Sequence, residues 1–145
     1  MVEKIRKSDG EWRRQLTPEQ YRVARDRDTE KRFSHPEHDA KVTGVYHCVC
    51  CGVPLFDSSA KFDSGTGWPS FWTPVSEQAI ETRPDLRYDD DLTEVLCARC
   101  DAHLGHVFED GPEPTGLRYC INGVCMMRED AAKGPDRPWK EGRRL

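Results

Sequence analysis

Two C-x-x-C pairs, Cys48/Cys51 and Cys97/Cys100, lie 45 residues apart and constrain this chain more than any other feature. Each pair turns two thiols toward one point, and two pairs complete a tetrahedral metal site. Four sulfurs leave no open coordination position, so such a site is structural rather than catalytic. Zinc is the expected ion. Four thiolates also suit iron, so the spacing leaves the identity of the metal open. The chain has seven cysteines, and this arithmetic leaves Cys50, Cys120 and Cys125 outside the site. Cys50 sits within the first pair, but only the 48/51 combination has the chelating spacing, so Cys50 points elsewhere.

The odd cysteine number and the metal-type spacing argue for a reducing compartment, the cytoplasm. No run of about 18 apolar residues is present, so no membrane span is expected. The Met1–Gly10 stretch is charged and lacks an apolar segment, so it does not read as a secretory signal. A formal charge of -4 argues against a nucleic-acid binder relying on phosphate attraction. The composition is lean for a stable core, 36% hydrophobic against 33% charged. A bound structural metal, contributing on the order of 10 kcal/mol, would help such a chain fold. At 145 residues it reads as one domain, 1–145.

Residues 8–33 read as a helical hairpin. Ser8 and Thr17 are plausible N-caps, and Thr17-Pro18-Glu19-Gln20 places proline at the first helical position. Leu16, Tyr21, Val23 and Ala24 supply an apolar stripe. From Gly44 the texture changes to short β-rich runs at 45–48, 79–82, 93–96, 106–108 and 117–127. Turn formers separate them at 63–67, 83–85 and 110–114. Many short strands between such turns imply an antiparallel β core spanning 44–130. The Gly-, Pro- and Arg-rich tail, 133–145, reads as a loosely held end.

Cys120 is the informative spare thiol. It follows the paired histidines of His103-Leu104-Gly105-His106 and lies in Arg118-Tyr119-Cys120-Ile121-Asn122. On a strand, alternation puts Arg118, Cys120, Asn122 and Val124 on one face and Cys125 on the other. Cys125 would then lie roughly 16 Å along the strand from Cys120, beyond the ~7 Å that a disulfide allows. A nearby Arg118 favours thiolate, and His103 and His106 can donate protons if the fold brings them near.

Several blocks now coincide: Cys48-Val49-Cys50-Cys51-Gly52, Ser64-Gly65-Thr66-Gly67-Trp68-Pro69-Ser70-Phe71, Cys97 to Phe108, Asp110-Gly111-Pro112, and Gly116 to Asn122. In kind and order they closely resemble the peptide methionine-R-sulfoxide reductases, in their zinc-containing form, over residues 10–130. The resemblance implies a mainly β fold of two antiparallel sheets, with short N-terminal helices and a four-cysteine metal site. It implies reduction of methionine-R-sulfoxide, free or in peptides, with Cys120 as nucleophile. Trp68 would line an apolar pocket for the substrate methyl group, since sulfur–aromatic contacts are favourable by about 1 kcal/mol. His103, His106 and Asn122 would surround the sulfoxide oxygen, with His106 the better proton donor. Arg118 and Asp110 would orient or tune the site, and Phe71 and Phe108 would serve packing. Cys120 would become a sulfenic acid, to be reduced by a thiol.

Many members of that family carry a resolving cysteine in the turn before the tryptophan, and Thr66 occupies that position here. The remaining candidates are Cys50, Cys125 or none, and direct attack by an external reductant is favoured. Thioredoxin is the partner implied by resemblance, with glutathione or another small thiol as alternatives. The competing reading is a non-enzymatic zinc-ribbon-like binding module with Cys120 merely buried. A thioredoxin-like dithiol enzyme is weaker, because no βαβ pattern accompanies either pair.

Overall fold

The computed structural model describes residues 3–87 and 91–130; the proposed loose tail, 133–145, lies outside them. The chain opens with helix α1, Asp9–Gln15, and helix α2, Pro18–Ala24. Ser8 and Thr17 cap them, and both form complete capping boxes with Glu11 and Gln20. Each box satisfies two backbone N–H groups that would otherwise lack partners, which lets such short helices form. Trp12, Leu16, Tyr21, Val23 and Ala24 are all buried.

The helical reading of 8–33 is too long. Helix α2 stops at Ala24, and Arg27 and Phe33 take left-handed backbone with φ of 63° each. The run Arg25-Asp26-Arg27-Asp28 offers no apolar face to bury. The Asp28 carboxylate accepts from the Thr29 N–H instead, at 2.7 Å, the local competition that ends helices. The segment 25–33 then runs as an irregular strap toward the candidate site.

Nine strands follow: β1 Gly44–Cys48, β2 Pro54–Asp57, β3 Lys61–Phe62, β4 Ser70–Phe71, β5 Ile80–Pro84, β6 Thr93–Cys97, β7 His103–Phe108, β8 Arg118–Ile121 and β9 Met126–Asp130. They make two antiparallel sheets, β2-β1-β9 and β3-β4-β8-β7-β6-β5. The core lies where the sheets face each other. Phe56 stacks on Phe71 at 4.5 Å, Tyr46 meets Phe71 edge-on at 5.2 Å, and Leu104 and Ile121 are fully buried.

The expected single strand over 117–127 is broken. Residues Gly123–Cys125 form a tight 3-10 turn, so β8 belongs to the large sheet and β9 to the small one. The Asn122 N–H and the Asn122 side-chain amide both donate to the carbonyl of Leu104, on the neighbouring strand β7, at 2.9 Å each. The alternation argument therefore ends at Ile121, and the extended-chain separation of Cys120 from Cys125 does not apply. Cys125 is nonetheless core, fully buried, with its thiol toward the His103 carbonyl at 3.2 Å.

Close approach at Gly105 locks β7 onto β8. A Cβ there would sit 2.0 Å from the Cys120 carbonyl oxygen. Only glycine lets the strand carrying the histidines lie this near the strand carrying the thiol.

Candidate active site and metal centre

The two C-x-x-C pairs form matching turns. One links β1 to β2 and the other links β6 to β7. In each, the fifth residue donates its N–H to the carbonyl of the first cysteine, Gly52 to Cys48 at 2.8 Å and Asp101 to Cys97 at 2.9 Å. The four sulfurs of Cys48, Cys51, Cys97 and Cys100 lie within 4.8 Å of one another. Cys48 to Cys100 is 3.7 Å and Cys51 to Cys97 is 3.6 Å. A tetrahedron with metal–sulfur bonds of about 2.3 Å has sulfur–sulfur edges of about 3.8 Å, so the cluster has the dimensions to hold a metal ion. The sulfur of Cys100 is the foremost influence pushing the Cys48 thiol up, the cost of crowding sulfurs that a cation would relieve. Cys50 is buried and outside the quartet, and its carbonyl accepts from Gln15 Nε2 at 2.5 Å.

Away from this cluster a cavity of about 120 Å³ is lined by Thr29, Trp68, Gly105, His106, Phe108, Cys120, Ile121 and Asn122. Strand pairing builds it. His106 is the register partner of Cys120 across β7 and β8, so both side chains emerge on one face. Ser70 pairs with Cys120 from the other side, and the Ile121 N–H donates to the Pro69 carbonyl at 2.9 Å. These contacts bring Trp68 beside the thiol. The turn before it needs Gly67, at φ 93°, where a Cβ would come within 2.9 Å of Phe33 and Arg32.

His103 and His106 lie three apart, which would ordinarily set them on opposite faces. An irregularity in the β6/β7 register, with Val95 opposite Gly105 and Leu96 opposite His103, leaves Leu104 as the extra residue. The two rings therefore share a face, edge-on at 5.6 Å. Each is held by a carboxylate. His106 Nε2 lies 2.8 Å from Asp85 Oδ2, and His103 Nδ1 lies 2.7 Å from Glu94 Oε2. Arg87 and Arg27 neutralise those acids. Arg87 Nε and one terminal nitrogen bind Asp85 at 2.9 and 2.7 Å, and Arg27 binds Glu94 at 3.1 and 2.7 Å. The Arg87 guanidinium foremost holds the Asp85 carboxyl below the usual carboxylate range, with His106 adding to it. Burial pushes the His103 pKa down, against the pull of Glu94.

Burial also dominates the Cys120 thiol, which is pushed up to about 11. Arg118 and a hydrogen bond with Thr66 pull it down, while Glu30 pushes it further up. The position where the resembling enzymes carry a resolving cysteine thus adjoins Cys120, and a hydroxyl fills it. Arg118 shares the face of Cys120, rests on the Phe108 ring at 4.3 Å, and is clamped by the exposed Asp110 at 2.8 and 3.2 Å.

The structure thus brings Cys120, Trp68, His106 and Asn122 to one cavity. It places His103 behind His106, 1% exposed and outside the lining. Arg118 flanks the thiol, and Asp110 pairs with Arg118. Phe108 lines the cavity rather than merely packing, whereas Phe71 is core. Sequence reasoning missed Thr29, Asp85, Glu94 and Glu30. None of the four carries a local signal that sets it apart in the sequence.

A thiol thus shares one cavity with an indole, an imidazole and an amide, apart from a four-cysteine cluster that could hold a metal ion. Residues 16–130 match the SelR domain family. A protein of Hahella chejuensis, a peptide methionine sulfoxide reductase MsrB, is 55% identical over 130 residues, spanning 90% of this chain and 94% of that one. The protein of the same description from Pseudomonas fluorescens is 58% identical over 125 residues, 86% of this chain and 96% of its own. The chain belongs to the SelR family, in its MsrB branch. No helix among the described residues is long and apolar enough to cross a membrane.

Proposed function

We propose that this chain reduces methionine-R-sulfoxide, peptide-bound or free, to methionine, with Cys120 as nucleophile. The observation that supports this reading most directly is the cavity shared by Cys120, Trp68, His106 and Asn122 on a chain of the MsrB branch. So small a cavity accepts the end of a side chain. The Trp68 indole and Phe108 ring offer an apolar wall to the S-methyl group. His106 and Asn122 offer polar groups to the sulfoxide oxygen.

The Cys120 sulfur attacks the sulfoxide sulfur while His106 delivers a proton to the oxygen, which makes it able to leave sulfur. The methionine sulfur is reduced to a thioether, and Cys120 is oxidised to a sulfenic acid carrying the transferred oxygen. Two further thiols return Cys120 to the thiol, form a disulfide between themselves and release the oxygen as water. Thioredoxin, a dithiol, suits that step. No second cysteine lines the cavity among the described residues, which favours direct attack by the external reductant. His103, Glu94 and Asp85 act as positioning residues for His106, and Asp110 positions Arg118. The quartet Cys48, Cys51, Cys97 and Cys100 would hold zinc, or alternatively iron, which supplies stability rather than chemistry. The setting proposed is the cytoplasm, with residues 1–145 working as a single domain.

The deciding assay follows reduction of the separate R- and S-sulfoxide epimers with a dithiol reductant. Turnover of R alone is expected. Turnover of neither would leave the binding-module reading standing. A second expectation concerns the proton path. His106→Ala should lower kcat/KM by about a hundredfold or more, because a positioned proton donor contributes on that scale. Asp85→Asn should lower it by about tenfold, since the ring keeps its place but loses its ionised partner. Near wild-type kinetics in His106→Ala would remove the imidazole from the reaction.

A further inference from the structure

Glu30 is a buried carboxyl that this mechanism leaves unused. It lies in the strap after α2 and is 1% exposed. Its Oε1 accepts from the Val124 N–H at 2.9 Å, while its Oε2 has no hydrogen-bond partner. The backbone of the same residue is committed to the same neighbourhood. Its N–H donates to Asn122 Oδ1 at 2.9 Å, and its carbonyl accepts from Trp68 Nε1 at 2.9 Å. One residue is therefore tied to two walls of the cavity and to the turn that ends the Cys120 strand.

A glutamine would serve Val124 equally well. What a carboxyl adds is charge, and Cys120 and Cys125 both feel it. The charged neighbours of Glu30 divide: His35 favours its ionised form, Glu19 opposes it, and burial, the largest influence, pushes its pKa up. On the other side of the balance stands Arg118, which favours the Cys120 thiolate.

We propose that Glu30 is a positioning residue of the sulfoxide cavity, fixing Trp68 and Asn122 through its backbone and the 123–125 turn through its carboxyl. The inference rests on the reading of the cavity given above. Its consequence is a thiol restrained in the empty enzyme: ionised Glu30 disfavours thiolate, and its removal releases that restraint.

Two variants of the full-length, metal-loaded protein separate position from charge. Glu30→Gln keeps an acceptor for Val124 and removes the charge; Glu30→Ala removes both. The readouts are the pH profile of Cys120 alkylation by iodoacetamide and the kinetics on a methionine-R-sulfoxide peptide. In Glu30→Gln the alkylation midpoint should move to lower pH by roughly half a unit or more, equivalent to about threefold faster alkylation below the midpoint. In Glu30→Ala the KM should rise about tenfold or more as Trp68 and Asn122 lose their fixed places. An alkylation profile of Glu30→Gln superimposable on that of the wild type would overturn the proposal. So would a Glu30→Ala protein with KM within about twofold of wild type. Should Glu30→Ala fail to fold, the Glu30→Gln profile decides alone. A wild-type protein without sulfoxide reductase activity would instead sink the reading of the cavity, and the alkylation comparison, which needs no substrate, would still judge Glu30.

Discussion

Cys120→Ser is expected to lower sulfoxide turnover by at least about a thousandfold, the scale on which loss of a nucleophile acts, while metal content and thermal stability stay near wild type. Serine fits the space, so the half-buried site should not collapse. What disappears is a soft sulfur able to accept oxygen. A hydroxyl cannot become the analogue of a sulfenic acid. The metal should stay because the quartet is built from the β1–β2 and β6–β7 turns, and Cys120 belongs to neither. Intact-mass measurement after one equivalent of substrate, with no reductant, sharpens the test. Wild type should gain one oxygen; the variant should gain none. Full activity of Cys120→Ser with dithiothreitol would transfer the nucleophile to another sulfur, and a wild-type product lacking two hydrogens would reveal an internal disulfide.

Much of this site was legible because its signals are local. The metal quartet is two short spacings, and each turn closes on itself with one hydrogen bond. The helix starts were legible for the same reason, since a capping box spans four residues. The pairing of His106 with Cys120, in contrast, is a register relation between strands 14 residues apart in sequence number, which only the family resemblance anticipated. That His103 and His106 share a face depends on the extra residue at Leu104, and no local pattern announces it. The break after Ile121 carried one local signal, the Asn122-Gly123 turn dipeptide, set within a run of strand-forming residues. Asp85, Glu94 and Glu30 were invisible in another way. Each is an ordinary acidic residue whose role comes from what the fold buries it against: two imidazoles in the first two cases, and Val124 with the walls of the cavity in the third. Charge on a surface needs no partner, so sequence alone gives no reason to single these residues out.

Removing the metal, by a strong chelator or by Cys100→Ser, should lower the melting temperature by roughly 20 °C or more. A structural ion contributes on the order of 10 kcal/mol, and a domain of this kind holds only about 5–15 kcal/mol of net stability. An ion bound by all four cysteines would tie the two turns together. Their nearest reinforcement is the N-terminal segment, in which the Ile5 N–H donates to the Arg99 carbonyl at 2.6 Å and Arg25 to the Cys100 carbonyl at 3.1 Å. One turn leaves β1 of the small sheet and the other leaves β6 of the large sheet, so an ion held by both would fasten the sheets to each other. Loss of the ion should therefore reach the distant cavity. Cys120 alkylation at neutral pH should quicken as burial, the chief restraint on that thiol, is relaxed. Thermal melts with and without chelator, read beside dye-based metal release and Cys120 alkylation, test the chain of cause. Release of one equivalent of metal with a melting temperature unchanged within about 3 °C would show that the sheets hold without it.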